Sequence, residues 1–384
     1  MFSESRTLVR YLARARLGAV MVAESRAAVR VDIPGAAPEL WFPRADVAGE
    51  RLEPDAGWWR GGADDLAGHV AFDDEQVRLE LIDAVLGDPD RGVTTTRFPN
   101  WGDAADLIEI IDVKPDGESR YISPLVRSDW RRPVVEGSQI LGQTIVAASR
   151  HAPGRRVVSA SMLFVRGADA RTPYVLEVDQ VTGGRTFTSL RATAAQIDRT
   201  CAFGTVLLDT TAPDVVRHTD PAPDVAGPYD STPYDMGVTG RDLRIVDNAY
   251  TGDADAPVGP PELSTWVRFR DVPDDPPIHA GLLAQFAGHM PIAAALRPHA
   301  GIGQDQAHRS LSTAINAISL SIHRDIRADR WMLYHHRSTF AGDGMTHAEC
   351  RVYDEDGELL ASFTVEAMIR GFADPVSADY RSSM

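Results

Sequence analysis

The sequence predicts an α+β fold in which two long buried helices are each wrapped by an antiparallel sheet, preceded by a small mainly-β domain. Three features predict it. Residues 161–208 and 319–368 follow the same order of strands and turns, two helical segments lack a polar face, and residues 1–98 alternate short strand-like runs with prolines and glycines. An internal repeat indicates the architecture before any motif is considered, because each copy must form the same structural unit.

Each copy of the repeat begins with a β-branched strand that ends in an arginine. These arginines are Arg166 and Arg324, and the next apolar strands are residues 174–178 and 331–334. Alternation of apolar and polar residues in the strands that follow is typical of sheets with one buried face. We expect the two sheets to pair with each other, because pairing protects an otherwise open sheet edge.

One apolar helix is predicted before each set of strands. In residues 137–150, Ile140 and Ile145 lie on one stripe and small residues fill much of the remainder, and a second continuous helix is predicted over residues 279–296. A helix without a charged face is normally buried on most sides. A strongly curved antiparallel sheet can enclose it, which is the hotdog arrangement, predicted here twice.

Four segments are expected along the chain. Residues 1–98 form the small β-rich domain, 103–211 the first hotdog, and 232–374 the second hotdog. Residues 212–231 between the hotdogs are rich in proline and aspartate, which is typical of a linker.

Composition restricts the class of partner. The net charge of −16 argues against nucleic acid as a main partner, because phosphate recognition needs a basic face. No uninterrupted apolar run is long enough for a membrane span, and the N-terminus lacks the apolar core of a secretory signal.

Cys201 and Cys350 are expected to be buried free thiols of a cytoplasmic protein. The histidines lack the spacing of a metal site, so no metal and no organic cofactor are expected.

Two family resemblances follow from longer stretches. AESRAAVRVD, WFPRADV, RLEP and GHVAF occur in that order, and with them most of residues 17–83 resembles a small family of β-rich domains of unknown function, which implies no activity. VEGSQILGQ, SMLFVRGADARTPYVLEV, HAGLLAQFAG, ALRPHAG, SLSIHR, WMLYHHRST and DGELLASFTVEAMIR also occur in order. With these, residues 103–374 resemble the acyl-CoA thioesterase II family of double-hotdog hydrolases.

The second resemblance implies hydrolysis of acyl-CoA to a free acid and CoA, with a homo-oligomer as a further expectation. Similar enzymes use an Asp, a Thr or Ser and a Gln to hold and polarise a water. These positions fall on Ala317, Thr339 and Val365, and an Asp common in the second helix falls on Gly288. Only Thr339 retains a polar side chain, because alanine and valine accept no hydrogen bond. Asn316 lies one residue away from the Asp position, but a one-residue slip in a strand points a side chain to the other sheet face.

Glu136 is the best candidate for a substitute base. It precedes the first buried helix, where backbone N–H groups and the helix dipole favour an anion. The N–H groups of Gly137 and Ser138 would then be oxyanion donors. Alternatively, Glu136 only complements the helix dipole. Thr339 has no obvious base beside it in the sequence, which weakens its reading as a nucleophile.

The predicted substrate is an acyl-CoA whose acyl chain lies in an apolar tunnel, with Ala317, Val365, Gly137 and Ser138 as substrate-binding positions. Five arginines could meet the CoA phosphates or could simply be solvated charges: Arg131, Arg132, Arg166, Arg324 and Arg327. The alternative function is a catalytically impaired hotdog protein that binds an acyl-CoA or a lipid-like ligand, with the N-terminal domain adding a partner or regulatory surface. The losses at Ala317 and Val365 are what this alternative predicts.

Overall fold

The computed structural model describes the following residues: 5–8, 12–32, 39–48, 57–73, 76–82, 94–95, 104–123, 134–169, 172–197, 199–234, 241–250, 255–307 and 310–371. The chain divides into two compact units. The first comprises residues 1–106, 126–130 and 233–243, and the second comprises residues 107–125, 131–232 and 244–384.

The first unit is built from short antiparallel strands. Its five-stranded sheet has the order β1-β4-β5-β7-β6 and its four-stranded sheet the order β3-β2-β8-β9. The strands are β1 (Ser5–Leu8), β2 (Leu12–Leu17), β3 (Val20–Ser25), β4 (Val29–Asp32), β5 (Glu39–Pro43), β6 (Trp59–Gly61), β7 (His69–Phe72), β8 (Val77–Ile82) and β9 (Thr94–Thr95). Small and aliphatic side chains form most of the core together with a few aromatic rings, and among these Trp58 stacks on Phe72 at a centroid distance of 5.9 Å. Stacked rings of this kind contribute to stability beyond their buried area.

The second unit contains most of a larger antiparallel sheet. Its strands are β10 (Lys114–Pro115), β11 (Arg120–Ile122), β12 (Arg156–Phe164), β13 (Val175–Gly183), β14 (Phe187–Gln196), β15 (Arg199–Asp209), β18 (Glu262–Phe269), β19 (Leu311–Ile322), β20 (Met332–Gly342), β21 (Met345–Asp354) and β22 (Leu359–Gly371). Two further strands, β16 (Thr232–Pro233) and β17 (Arg241–Ile245), include residues of both units.

The strand order of this sheet displays the internal repeat. From β11 it runs β11-β13-β14-β15-β12 and then β19-β22-β21-β20-β18, so the second half reverses the first. The two halves meet where β12 pairs with β19, over Ser159–Leu163 and Ser321–Ala317. We refer to this pairing as the seam. It joins the two sheets edge to edge and leaves neither seam strand with an open edge along the paired stretch.

The helices are α1 (Ala104–Ile111), α2 (Gly137–His151), α3 (Pro276–Phe286) and α4 (Pro291–Leu296). α2 is buried along most of its length, as its composition predicts. The second apolar segment is not one helix over residues 279–296, because α3 ends at Phe286 and α4 begins at Pro291. The expectation of a second long helix is therefore wrong at residues 287–290. Proline has no N–H for a continuing helix, and Pro291 instead starts α4.

α2 and α3 approach each other through two glycines. A Cβ on Gly142 would lie 2.5 Å from the carbonyl oxygen of Gly281, and a Cβ on Gly281 would lie 2.7 Å from Ile111 and 2.8 Å from Val146. These separations are shorter than van der Waals contact, so the helix backbones can come this close only where no side chain intervenes. The contact holds the two halves together on the helical side of the sheet.

A buried polar group fixes α2 to its surroundings. The Gln143 amide nitrogen donates to the Ile110 carbonyl at 2.6 Å and to the Ser123 hydroxyl at 3.2 Å. The Tyr174 hydroxyl donates to the Gln143 side-chain oxygen, and burial raises the pKa of Tyr174. Because buried polar groups are costly unless paired, this network specifies one position of α2 over the sheet.

Residues 210–231 contain no helix or strand, but they lie against the second half of the sheet. Ala222 and Val225 pack on the cluster that contains Trp331, and the Trp266 indole N–H donates to the Ala226 carbonyl at 2.9 Å. The Arg351 side chain pairs with Asp220 at 2.7 Å. This segment is therefore ordered by side-chain contacts despite its proline-rich composition.

A histidine and a cysteine lie together in the core of the second half. His336 Nδ1 is 2.9 Å from Cys350 Sγ, and both residues are fully or almost fully buried. Burial lowers the pKa of His336 to about 3 and raises that of Cys350 well above its ordinary value. Both side chains are therefore neutral at physiological pH, so this pair is structural and not a reactive thiolate.

No helix among the described residues is both long enough and apolar enough to cross a membrane.

Gly142→Ala should destabilise the protein by roughly 1–3 kcal/mol, the usual range for overpacking. The added methyl group meets the Gly281 backbone, which cannot move aside as a flexible side chain could. Intrinsic helix propensity alone would favour alanine by about 1 kcal/mol, so the sign of the change is diagnostic. Urea unfolding measures it. Gly371→Ala is the control, because no atom of the described residues lies within 4 Å of a Cβ built there. A stabilised Gly142→Ala variant would contradict the close helix contact.

His336→Gln should flatten the acid dependence of stability. In the unfolded chain the imidazole is protonated near its ordinary pKa of 6.5, whereas the folded protein keeps it neutral down to about pH 3. Below about pH 6.5 the unfolded chain binds a proton at this imidazole that the folded protein does not bind. The free energy of unfolding is therefore highest above about pH 7 and falls between about pH 6.5 and pH 3, by up to about 1.4 kcal/mol per pH unit. Urea unfolding at several pH values measures this slope. The exposed His299→Gln is the control, and equal slopes in wild type and His336→Gln would contradict the burial argument.

Candidate active site at the end of the seam

The seam ends at a β-bulge in β19. Ile315 pairs with Ala367 on β22 whereas Ala317 pairs with Glu366, so Asn316 is an extra residue between two paired positions. The pairing of β19 with β12 ends here too, because it runs from Ser321 to Ala317 and goes no further. Bulges bend a strand and redirect a side chain, and they are frequent beside active sites.

The bulge changes the interpretation of Asn316. Strict alternation along β19 would separate Asn316 from the position of the family Asp, but an inserted residue breaks that alternation. The Asn316 Oδ1 atom is buried and has no hydrogen-bond partner among the described residues. A buried unpaired carbonyl oxygen costs about 1–3 kcal/mol, which points to a ligand or water that donates to it.

Glu136 lies at the N-cap position of α2 and its side chain does not cap the helix. Its backbone carbonyl accepts hydrogen bonds from the N–H groups of Gln139 and Ile140, at 3.1 and 3.2 Å. The first N–H groups of a helix, here those of Gly137 and Ser138, have no carbonyl of their own helix to bond. They give this end of α2 a partial positive charge that favours an anion.

A histidine from the second half reaches Glu136. His289 Nε2 is 3.4 Å from Glu136 Oε2, and the His289 side chain is 5% exposed. The ring stacks on Phe286 at a centroid distance of 4.8 Å, which fixes its plane. Because the two residues are far apart in the sequence, only the folded structure brings this carboxylate and imidazole together.

Gly288 completes the contact between the halves. A Cβ on Gly288 would lie 2.7 Å from the Ser138 hydroxyl oxygen and 2.7 Å from Ile315 Cδ1. The start of α2, the α3–α4 connection and the bulged stretch of β19 therefore meet at one place. Glu136, Ser138, Gly288, His289 and Asn316 are referred to below as the seam-end cluster.

Gly137 lies beside the end of β12. A Cβ at this position would be 3.0 Å from the Phe164 ring. Any larger side chain at position 137 would displace that ring. Glycine therefore allows the Phe164 ring to lie beside the start of α2, which the Glu136 side chain does not cap.

Ala317 and Val365 lie on opposite faces of the sheet. Val365 is 1% exposed and shares the buried, helix-facing side with Ile318 and Ala348, with which it pairs. Ala317 pairs with Glu366, whose side chain is half exposed on the outer face. Neither position carries a polar side chain, so neither can hold a water.

Thr339 also lies on the outer face, at a second bulge. Ser338 pairs with Ala348 and Phe340 with His347, which leaves Thr339 as the extra residue of β20. Its hydroxyl oxygen is 2.6 Å from His347 Nδ1, and His347 Nε2 is 3.7 Å from Glu366 Oε1. The sequence did not indicate His347 or Glu366, because their contact with Thr339 depends on the bulge and on neighbouring strands.

The other histidines are engaged elsewhere. His323 Nε2 is 2.9 Å from the Ser362 hydroxyl, and His335 Nδ1 is 2.9 Å from the Ser264 hydroxyl. Burial lowers the pKa of both imidazoles. In the part of the chain that the structure describes, no group of three His, Cys, Asp or Glu side chains is arranged to hold a metal ion.

The five arginines considered for CoA phosphates differ in their surroundings. Arg166 is exposed. Arg324 lies 3.9 Å from Glu358, and Arg327 makes two bonds to Asp329 at 2.9 and 2.6 Å. Arg131 and Arg132 lie outside the described residues.

Known proteins resemble the chain over the residues that form this site. The acyl-CoA thioesterase N-terminal domain matches residues 126–208 and the acyl-CoA thioesterase C-terminal domain matches residues 210–369. Acyl-CoA thioesterase 2 of Haemophilus influenzae is 24% identical over 254 residues, which are 62% of this chain and 87% of that protein.

Two solved structures share the fold. An acyl-CoA thioesterase II of Mycobacterium marinum is 25% identical, with a TM-score of 0.58 over 70% of this chain and 99% of that one. A conserved hot dog fold protein of unknown function from Alicyclobacillus acidocaldarius is 17% identical, with a TM-score of 0.56 over 70% of this chain and 98% of that one. The fold is thus of the hotdog type, and with both thioesterase domains matched over more than half of its length, the chain belongs to the acyl-CoA thioesterase family.

Proposed function

We propose that this protein hydrolyses acyl-CoA to a free acid and CoA at the seam-end cluster, with Glu136 as the general base. The observation that carries the proposal is the position of the Glu136 carboxylate, at the uncapped start of α2 and 3.4 Å from His289 Nε2. In a family of thioester hydrolases, a carboxylate beside a helix N-terminus supplies both a proton acceptor and a favourable field for an oxyanion.

The reaction would proceed through a tetrahedral intermediate. Glu136 takes a proton from water as the water oxygen adds to the thioester carbonyl, and the oxyanion accepts hydrogen bonds from the N–H groups of Gly137 and Ser138. Collapse breaks the C–S bond, and the Glu136 proton passes to the leaving sulfur. Asn316 Oδ1 accepts the second hydrogen of the attacking water, and His289 holds the Glu136 carboxylate in place. Thus Glu136 and Asn316 would replace the Asp and Gln that are absent.

The substrate would lie across both halves. Its acyl chain meets apolar side chains, with Ala317 and Val365 among the positions proposed to line its path. Arg166 and Arg324 are proposed to meet the CoA phosphates, because Arg166 is exposed and Arg324 has only a distant carboxylate, at 3.9 Å from Glu358, among the described residues. Arg327 is already held by Asp329 and is a weaker candidate.

The proposal includes the architecture and its setting. The chain is proposed to be a double hotdog, with residues 103–211 and 232–374 as its halves and 212–231 as their connection. Residues 1–98 would be a separate domain that adds a partner or regulatory surface. A homo-oligomer, a cytoplasmic location and catalysis without a cofactor complete the proposal. The palindromic strand order about the seam supports the double arrangement.

A second candidate function is supported by one observation. Val365 is buried among apolar residues and Ala317 offers no polar atom, so the usual water-holding groups are missing. A protein of this kind would bind an acyl-CoA or a lipid-like ligand and release no CoA. The Glu136 variant described next distinguishes the two functions.

Glu136→Gln should lower kcat for acyl-CoA by about 10²- to 10⁴-fold, the usual contribution of a general base. The amide retains the shape of the side chain but accepts no proton. Release of free CoA from a panel of acyl chain lengths measures the effect, with Glu177→Gln on exposed β13 as the matched control. Saturable binding of every acyl-CoA by wild type without CoA release would instead favour the ligand-binding function. Normal turnover in Glu136→Gln would remove Glu136 from the mechanism.

Asn316→Leu should lower kcat by roughly 10- to 100-fold, whereas Asn316→Asp should retain activity, because only an oxygen at this position can accept a hydrogen bond from the attacking water. CoA release measured together with the far-ultraviolet circular dichroism of each variant separates this effect from misfolding. Equal activity of the leucine and aspartate variants would contradict the proposed role of Asn316.

A further inference from the structure

A tyrosine of the sheet holds the C-terminal end of α3. The last four carbonyls of an α-helix have no partner within the helix. Here the Ala287 N–H bonds to the Ala284 carbonyl at 3.1 Å, three residues back, which tightens the last turn. The Tyr334 hydroxyl on β20 donates to the Leu283 carbonyl at 2.9 Å. The end of α3 is therefore fixed by a side chain of the sheet that it packs on.

Aromatic neighbours fix the ring of Tyr334, which is fully buried. It stacks on His336 at a centroid distance of 6.2 Å, and Phe363 meets it edge-on at 6.4 Å. Phe286, the last residue of α3, also lies edge-on to it, with the centroids 5.0 Å apart. Rings packed closely on several sides keep one arrangement, because a core at this density leaves no room for another.

The same phenylalanine orients the histidine of the seam-end cluster. The rings of Phe286 and His289 are stacked at 4.8 Å with an angle of 11° between their planes. The His289 N–H also bonds to the Phe286 carbonyl at 3.1 Å. Residues 287–290 belong to neither α3 nor α4, so no continuous helix determines where His289 lies. The direction of its ring depends on Phe286, and the place of Phe286 depends on Tyr334.

The Glu136 carboxylate lies at the far end of this series of contacts. Its side chain makes no capping bond to α2, so contacts from outside that helix orient it. One of them is His289 Nε2, at 3.4 Å from Glu136 Oε2. The contacts therefore run without a gap from the Tyr334 hydroxyl to the carboxylate.

We infer that Tyr334 is a positioning residue for the hydrolysis, which holds Glu136 in place through Phe286 and His289. The inference rests on the proposed function and adds to it a residue that acts only through others. Without the hydroxyl the end of α3 loses its tie to β20, and His289 moves with it. A displacement of a catalytic group by about 1 Å can reduce the rate by about 10²-fold.

Tyr334→Phe removes the hydroxyl and keeps the ring. It should lower kcat for acyl-CoA by roughly 5- to 20-fold and leave KM within about twofold, because it changes the placement of the base and not the surface that binds the substrate. Release of free CoA by the full-length protein measures both constants. Tyr353→Phe is the matched control, since Tyr353 is equally buried but packs in the cluster that contains Trp331. It should retain the wild-type kcat.

A double-mutant cycle separates positioning from a general structural role. In the Glu136→Gln background, Tyr334→Phe should have no further effect on kcat, because the group that it positions is gone. Phe286→Leu removes the ring on which His289 stacks and should show the same dependence on Glu136. Phe269→Leu in β18 is its control, because Phe269 is also buried. Far-ultraviolet circular dichroism shows that each variant is folded.

Two results would overturn the inference. A wild-type kcat in Tyr334→Phe would mean that the hydroxyl has no part in placing the base. An equal loss of kcat in the wild-type and Glu136→Gln backgrounds would mean that Tyr334 acts on the fold as a whole. Full activity of Glu136→Gln by itself is a different failure, because it refutes the proposed function and this inference together.

Discussion

The antiparallel pairing of β12 with β19 is the interaction on which the rest of the structure depends. It joins the sheets of two repeats along one edge and places their helices on the same side. α2 and α3 then approach so closely that Gly142 and Gly281 are needed at the crossing. The pairing of β12 with β19 stops at Ala317. The start of α2 therefore meets the second repeat just beyond the last paired residues of the two halves.

The same geometry would allow the proposed site to act although the Asp and Gln of similar enzymes are absent at Ala317 and Val365. Ala317 and Val365 cannot bind water, but a carboxylate, an imidazole and an amide come to the end of the seam from three different segments. The α2 dipole adds a field that favours negative charge at this point. On the proposed mechanism, the polar groups differ from those of similar enzymes while the place where they act is set by the seam and the start of α2.

Much of the fold could be predicted from the sequence because it repeats. The strands of each copy alternate apolar and polar residues, and α2 lacks a polar face, so both features are visible in a single chain. The break between α3 and α4 was less visible, since residues 287–290 are as apolar as their neighbours and only Gly288 and Pro291 indicate it. The packing of residues 210–231 on Trp331 was likewise hidden by a proline-rich composition.

The geometry of the candidate site could be anticipated from the sequence only in part. The position of Glu136 at the start of a helix could be predicted from the sequence, but its contact with His289 depends on long-range folding. The bulges at Asn316 and Thr339 defeat arguments from strand parity, because one inserted residue moves every later side chain to the other face. The contacts of His347 with Thr339 and Glu366 could be recognised only once the register of β20, β21 and β22 was known.

Hydrogen–deuterium exchange with a non-hydrolysable acyl-CoA thioether tests most directly whether the seam end is the binding site. The first N–H groups of α2 have no carbonyl partner within the helix, so their exchange reports directly on a bound oxygen. The account predicts that the ligand slows exchange at Gly137 and Ser138 and in residues 313–317 of β19. Slowed exchange elsewhere with no change in these two segments would contradict it.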